Sequence, residues 1–126
     1  MREILFRAYV NDKGKIYDIK KIDFDYGIVW FEEENKPTDT MRMFDQIELM
    51  QFTSLTDKNG AKIFEGDILK GCWNTIFEVY YDDCLLQFRA KTVDGFNKDI
   101  DYYGYPHQIE VIGNIYDNKE LLENAK

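Results

Sequence analysis

Long apolar runs are missing from this chain. The longest is Ile28-Val29-Trp30-Phe31, far short of the ~20 residues that span a membrane. The apolar start Ile4-Leu5-Phe6 is broken at once by Arg7, which excludes the apolar core of a signal peptide. The protein is therefore expected to be soluble and cytoplasmic, with no membrane partner. Serine and histidine occur once each, as Ser54 and His107. Nothing in their spacing orients them toward an aspartate, and a catalytic triad is recognised only by geometry. The two cysteines, Cys72 and Cys84, lack paired spacing and with His107 fall one ligand short of a structural zinc site. They are read as reduced thiols behaving as small apolar residues. No phosphate-binding glycine loop, dinucleotide fingerprint or nucleophile elbow occurs, and no segment keeps the 3.6-residue period of an amphipathic helix. The expectation is a protein that is not an enzyme and uses no cofactor.

What remains is one domain's worth of chain, 126 residues with 16 basic and 24 acidic side chains and a net charge of −8. Hydrophobic residues make up 44%, enough to build a core, so the chain is expected to fold without disulfide or metal help. Residues 1–53 hold 8 basic and 11 acidic side chains and residues 54–126 hold 8 and 13. Neither half is basic, which argues against a broad nucleic-acid surface. The unusual feature is aromatic content: nine Phe, nine Tyr and two Trp, 16% of the chain. Such residues favour strands and interfaces.

Apolar positions recur at period two almost everywhere, between turn-forming punctuation. Residues 2–10 alternate, Asn11-Asp12-Lys13-Gly14 turns the chain, and residues 16–22 form a second, less amphipathic strand. Residues 28–32 form a third, ended by a charged run and Pro37. Residues 41–46 read as a short turn or a helical step. Residues 47–53 are strand-like, and Asp57-Lys58-Asn59-Gly60 is the strongest hairpin signal, because Asn-Gly tolerates left-handed backbone. Ile63-Phe64 should run back along the preceding strand. In residues 76–89, a two-residue turn at Asp82-Asp83 would set Tyr81 against Cys84, Val79 against Leu86 and Phe77 against Phe88. That register buries Cys84, which would raise its thiol pKa and disfavour a nucleophilic role. Residues 91–108 are irregular, with Asp94-Gly95 as a turn. Residues 109–116 form a strand in which Gly113 marks a bulge or close backbone approach, and Asn118 is placed to cap a terminal helical turn over 119–123.

Asp82-Asp83 and Asp99-x-Asp101 offer neighbouring oxygen ligands, but too few for a calcium loop, and solvated turns are the simpler reading. The aromatic stretch Tyr102-Tyr103-Gly104-Tyr105-Pro106-His107 stands out, because rings on an irregular loop can stack on a base or anchor a partner. Base stacking needs positive charge, and here Lys98 is nearly alone beside Asp99 and Asp101. Trp73, after the strand at 68–70, invites the same readings. Packing of these rings on the protein's own sheet or on a neighbouring subunit is the better reading, and Trp73, Tyr102, Tyr103, Tyr105 and His107 are the candidate interaction surface, toward a second copy or another protein in preference to nucleic acid.

Three stretches together resemble the YopX family of bacteriophage and prophage proteins: Arg2-Glu3-Ile4-Leu5-Phe6-Arg7-Ala8-Tyr9, the segment from Met50-Gln51-Phe52 through Asp57-Lys58-Asn59-Gly60 to Gly66-Asp67-Ile68-Leu69, and Glu110-Val111-Ile112-Gly113-Asn114-Ile115-Tyr116. The resemblance implies a mainly β fold: a single domain over 1–126, an N-terminal β subdomain over about 1–53, and an SH3-like, partly open barrel over about 61–118. It implies a phage-encoded protein in a bacterial cytoplasm and carries over no catalytic residue. The function expected is a non-enzymatic interaction module, self-associating or binding a phage or host protein, with a nucleic-acid-binding accessory role as the alternative. A small hydrolase or metal-dependent enzyme ranks last.

Overall fold

A computed structural model describes residues 2–104 and 108–124. The chain is mainly β, as expected, and all strand pairings among the described residues are antiparallel. It divides into two compact units, one over Glu3–Gln51 and one over Phe52–Lys126.

In the first unit β1 (Phe6–Val10) lies between β2 (Lys15–Asp18) and the first half of β6 (Ile47–Thr56). A second sheet has the order β3 (Lys21–Asp23), β4 (Ile28–Phe31), β5 (Thr40–Met43). The weak amphipathicity of residues 16–22 has its explanation here, because the segment is two strands in two sheets. Ile19 N–H donates to Phe6 O on one side of the switch and Lys20 N–H to Trp30 O on the other. Ala8, Val10, Val29, Phe31 and Ile47 form this unit's core, with Tyr17, Ile19, Ile22 and Leu49 against it. The Tyr17 and Phe31 rings lie 4.5 Å apart. Ile4, which the alternation grouped with Phe6 and Ala8, precedes the strand and is exposed. The ambiguous residues 41–46 resolve into the end of β5 followed by a 3-10 turn over Phe44–Gln46.

The second unit holds a five-stranded sheet in the order β11 (Asn97–Lys98), β10 (Gln87–Lys91), β9 (Ile76–Asp82), β8 (Asp67–Lys70), β12 (Glu110–Asn114). The second half of β6 pairs with β7 (Lys62–Phe64), so the expected hairpin forms. Its turn differs in detail: Gly60 is left-handed (φ 81°) and Asn59 is not. The Asp57 carboxylate organises the turn by accepting the N–H groups of Asn59 and Ala61. Ile63, Leu69, Phe77, Val79, Ala90, Ile100 and Ile109 form the core, with Leu55, Phe88 and Val111 packed on it.

The β9–β10 register is a correction. Phe88 faces Tyr81 and Ala90 faces Val79, because the turn is longer than Asp82-Asp83. The Asp82 carboxylate accepts the N–H groups of Cys84 and Leu85, and Leu86 N–H donates to Asp82 O at 2.7 Å with Leu86 at φ 56°. A two-residue turn would need left-handed backbone at both central aspartates, and a single side chain closing a longer loop is the cheaper arrangement. The slip is an even number of residues, so Phe77, Val79, Tyr81 and Phe88 keep their shared face. Cys84 and Leu86 leave the ladder, and both are exposed. The burial expected for Cys84 is therefore overturned.

The register of β8 and β12 shifts between Val111 and Gly113, the bulge expected there. A Cβ at Gly113 would lie 2.5 Å from Asn118 Oδ1, which shows why glycine stands at this position. Asn118 does not cap the last helix with its side chain. That oxygen accepts Asn114 N–H, and α1 (Glu120–Glu123) starts without a side-chain cap. No helix among the described residues is long and apolar enough to cross a membrane.

Candidate interaction surface

Between β8 and β9 the chain reverses through Cys72-Trp73-Asn74-Thr75, closed by Thr75 N–H to Cys72 O at 3.1 Å and Gly71 N–H to Thr75 O at 2.8 Å. Both central residues are left-handed, Trp73 at φ 56° and Asn74 at φ 60°. This is the twist a tight hairpin demands, and Asn meets it readily. A tryptophan there is strained by about 1–2 kcal/mol. Burial does not offset the strain, since Trp73 is 93% exposed.

The irregular stretch after β10 is ordered by a second turn. Thr92 N–H donates to Phe96 O and Gly95 N–H to Thr92 O, with Gly95 at φ 88°. This sets Phe96 outward, 66% exposed. β11 follows, and then a 3-10 turn over Ile100–Tyr103 that inserts Ile100 into the core and leaves Tyr102 outside at 65% exposure. Lys98 Nζ lies 5.2 Å from the centre of the Tyr102 ring, within range of a cation–π contact.

A cleft of about 420 Å³ opens between these loops. Asn74, Thr75 and Ile76 form one wall, and Thr92, Val93, Asp94, Phe96, Lys98 and Tyr102 the other. The Thr92 hydroxyl is buried and has no hydrogen-bond partner among the described residues. A second cleft, of about 470 Å³, has an apolar floor of Leu55, Phe88, Ile100 and Ile109, with Asp99 and Asp101 at its edge. Arg89 Nη1 holds Asp99 Oδ1 at 2.7 Å.

Of the five sequence candidates, the fold brings Tyr102 and the turn carrying Trp73 to one cleft. Tyr103 contributes backbone to the 3-10 turn. Tyr105 and His107 lie outside the described residues. Phe96 and Val93 escaped the sequence reading; the signal for them was Asp94-Gly95, which points the next ring outward.

Ser54 sits exposed in β6 at φ 76°, while its only possible imidazole, His107, is outside the described residues. Among the described residues no group of three or more His, Cys, Asp or Glu could hold a metal ion. The Asp82 carboxyl is engaged by its turn: the Leu85 amide above all, and then the Cys84 amide against the opposing effect of burial, hold it below its usual 3.8.

The comparisons with known proteins agree with the fold. The family described as YopX protein matches residues 5–123. The crystal structure of protein EF1440 from Enterococcus faecalis is similar, with a TM-score of 0.65 and 25% sequence identity, covering 97% of this chain and 99% of that one. No curated protein matches. With nearly its whole length matched by that family, the chain belongs to the YopX family.

Proposed function

We propose that this protein is a non-enzymatic interaction module whose working surface is the aromatic-rimmed cleft of the C-terminal unit. The observation that carries the reading is Trp73, a large ring held in left-handed backbone while 93% exposed. A strained residue that the fold does not use for packing is the kind retained for binding. Phe96 and Tyr102 supply two further exposed rings, and tryptophan and tyrosine are the usual anchors of protein interfaces.

The partner is an extended segment of another protein that seats one apolar side chain between Ile76, Val93 and Phe96. We read the C-terminal unit as an SH3-like, partly open barrel displaying these loops, and the setting as a bacterial cytoplasm in which the partner is a phage or host protein. A photo-reactive phenylalanine analogue placed at position 73 or 102 in its native cell tests this. One protein cross-linked from both positions is the expected result. Cross-links from neither position would refute it.

Single-stranded nucleic acid is the second reading, favoured by the Lys98 ammonium stacked on Tyr102 beside Phe96. Asp94 in the same cleft and the net charge of −8 weigh against it. Binding that falls steeply with salt would favour this reading over the first.

A further inference from the structure

A different surface, in the N-terminal unit, carries its own inference. Across β3, β4 and β5 the register forms two outward rows. Lys21, Trp30 and Met41 make one; Asp23, Ile28 and Met43 make the other. The opposite face holds Val29 and Phe31 in the core. Alternation along each strand therefore leaves the two rows pointing away from that core. Met41 and Met43 are 48% and 51% exposed. Past one end of the strands the turn residues Phe24 (72%) and Tyr26 (77%) are exposed, with Phe44 edge-on to Phe24 at 6.3 Å. An antiparallel sheet with one face on the core should show water a polar face; this one shows it two methionines, an isoleucine and a tryptophan between Lys21 and Asp23, with Lys21 Nζ 4.6 Å from the centre of the Trp30 ring.

We infer that this face binds a second copy of the same chain, stacked sheet on sheet about a two-fold axis running across the strands between the two rows. That axis lays each row over the other row of the second copy. Lys21 then meets Asp23, Trp30 meets Ile28 and Met41 meets Met43, each twice. Charge meets opposite charge, and the largest ring meets a smaller branched side chain. At roughly 200 Å² per side chain, the exposed halves of Met41 and Met43 come to on the order of 200 Å² per copy. The half-buried Trp30 and Ile28 and a polar rim add to this, short of the ~800 Å² per partner of a standard interface. An interface of that size, between two copies each carrying −8, is a weak one, with a dissociation constant in the micromolar range.

Sedimentation equilibrium on the full chain tests the inference, and it needs no other partner, so failure of the proposed function above leaves its outcome unchanged. Wild type is expected to be a monomer–dimer mixture at micromolar concentration. Met41→Glu and Met43→Lys, each at a half-exposed position, are expected to sediment as monomers with unchanged far-ultraviolet spectra and melting temperatures. The double variant Met41→Glu/Met43→Lys is expected to dimerise again, because the axis sets the introduced carboxylate of one copy against the introduced ammonium of the other. A wild type that stays monomeric at several hundred micromolar overturns the inference. So do single variants that dimerise like wild type, and so does a double variant that does not recover.

Discussion

The Asp57 carboxylate accepts the N–H of Val111 at 2.9 Å, joining the turn after β6 to a strand 54 residues further along the chain. Its other oxygen accepts Asn59 and Ala61. Burial by itself would raise this carboxyl, yet the amides of Val111, Ala61 and Asn59 together hold it below its ordinary 3.8. One side chain thus fixes both a hairpin and the place of β12 against it.

Replacing it exposes that double role. Asp57→Asn keeps the shape, but its amide NH₂ cannot accept, so one of the two oxygen positions is lost to the backbone donors. Urea unfolding is expected to show a loss of about 1–3 kcal/mol. An unchanged midpoint would mean that the three amides do not depend on the charge.

Glu33 predicts the acid limb. Lys13 Nζ and Lys36 Nζ each lie 2.7 Å from its carboxylate, and Thr40 Oγ1 donates to it at 2.6 Å. The Lys13 contact first, then Lys36 and Thr40, lower its pKa from 4.5 to about 2. A carboxyl depressed in the folded state adds stability that is fully present above its unfolded pKa and is lost as pH falls through the folded one. Melting temperature should therefore fall between about 4.5 and about 2 in wild type, and fall less in Glu33→Gln over the same interval.

Gly113 and Asn118 form a coupled pair. In Gly113→Ala the new Cβ collides with the Asn118 side chain, whose oxygen is already committed to Asn114 N–H. Overpacking of this kind costs about 1–3 kcal/mol. Asn118→Ala removes the two nearer atoms, Oδ1 and Cγ, and keeps a Cβ 2.8 Å away, so the clash is relieved in part and the double variant is expected to be somewhat more stable than the sum of the single losses implies. Strict additivity in denaturant melts would contradict the contact.

How far the sequence was legible follows from which forces were local. Period-two alternation marks strands by itself, and the bulge at Gly113 announces itself because glycine inside such a run marks a bulge or a close approach, here that of the Asn118 side chain. The β9–β10 register was not legible. It turns on whether Asp82 spends its carboxylate on the amides of Cys84 and Leu85, and the next residue, Asp83, is equally able to look like a turn centre. The break between β2 and β3 was hidden likewise, since it depends on two distant carbonyls, Phe6 O and Trp30 O. Of the surface residues, Trp73 and Tyr102 stood out by composition. Phe96 and the Met41–Met43 rows emerged only once turns and pairing fixed which way they face.

Trp73 links stability to function. Asn accepts left-handed backbone where tryptophan is strained, so Trp73→Asn should raise stability by roughly 0.5–1 kcal/mol. The same change should weaken partner binding. A variant that gains stability and binds as before would show that the ring is idle.

The most direct test uses the protein that cross-links from positions 73 and 102, once purified. Its dissociation constant is measured by calorimetry against wild type, Trp73→Ala and Tyr102→Ala. The cleft reading predicts that each truncation weakens binding by about tenfold or more, the loss typical of a buried aromatic anchor. Equal constants for all three proteins would contradict it.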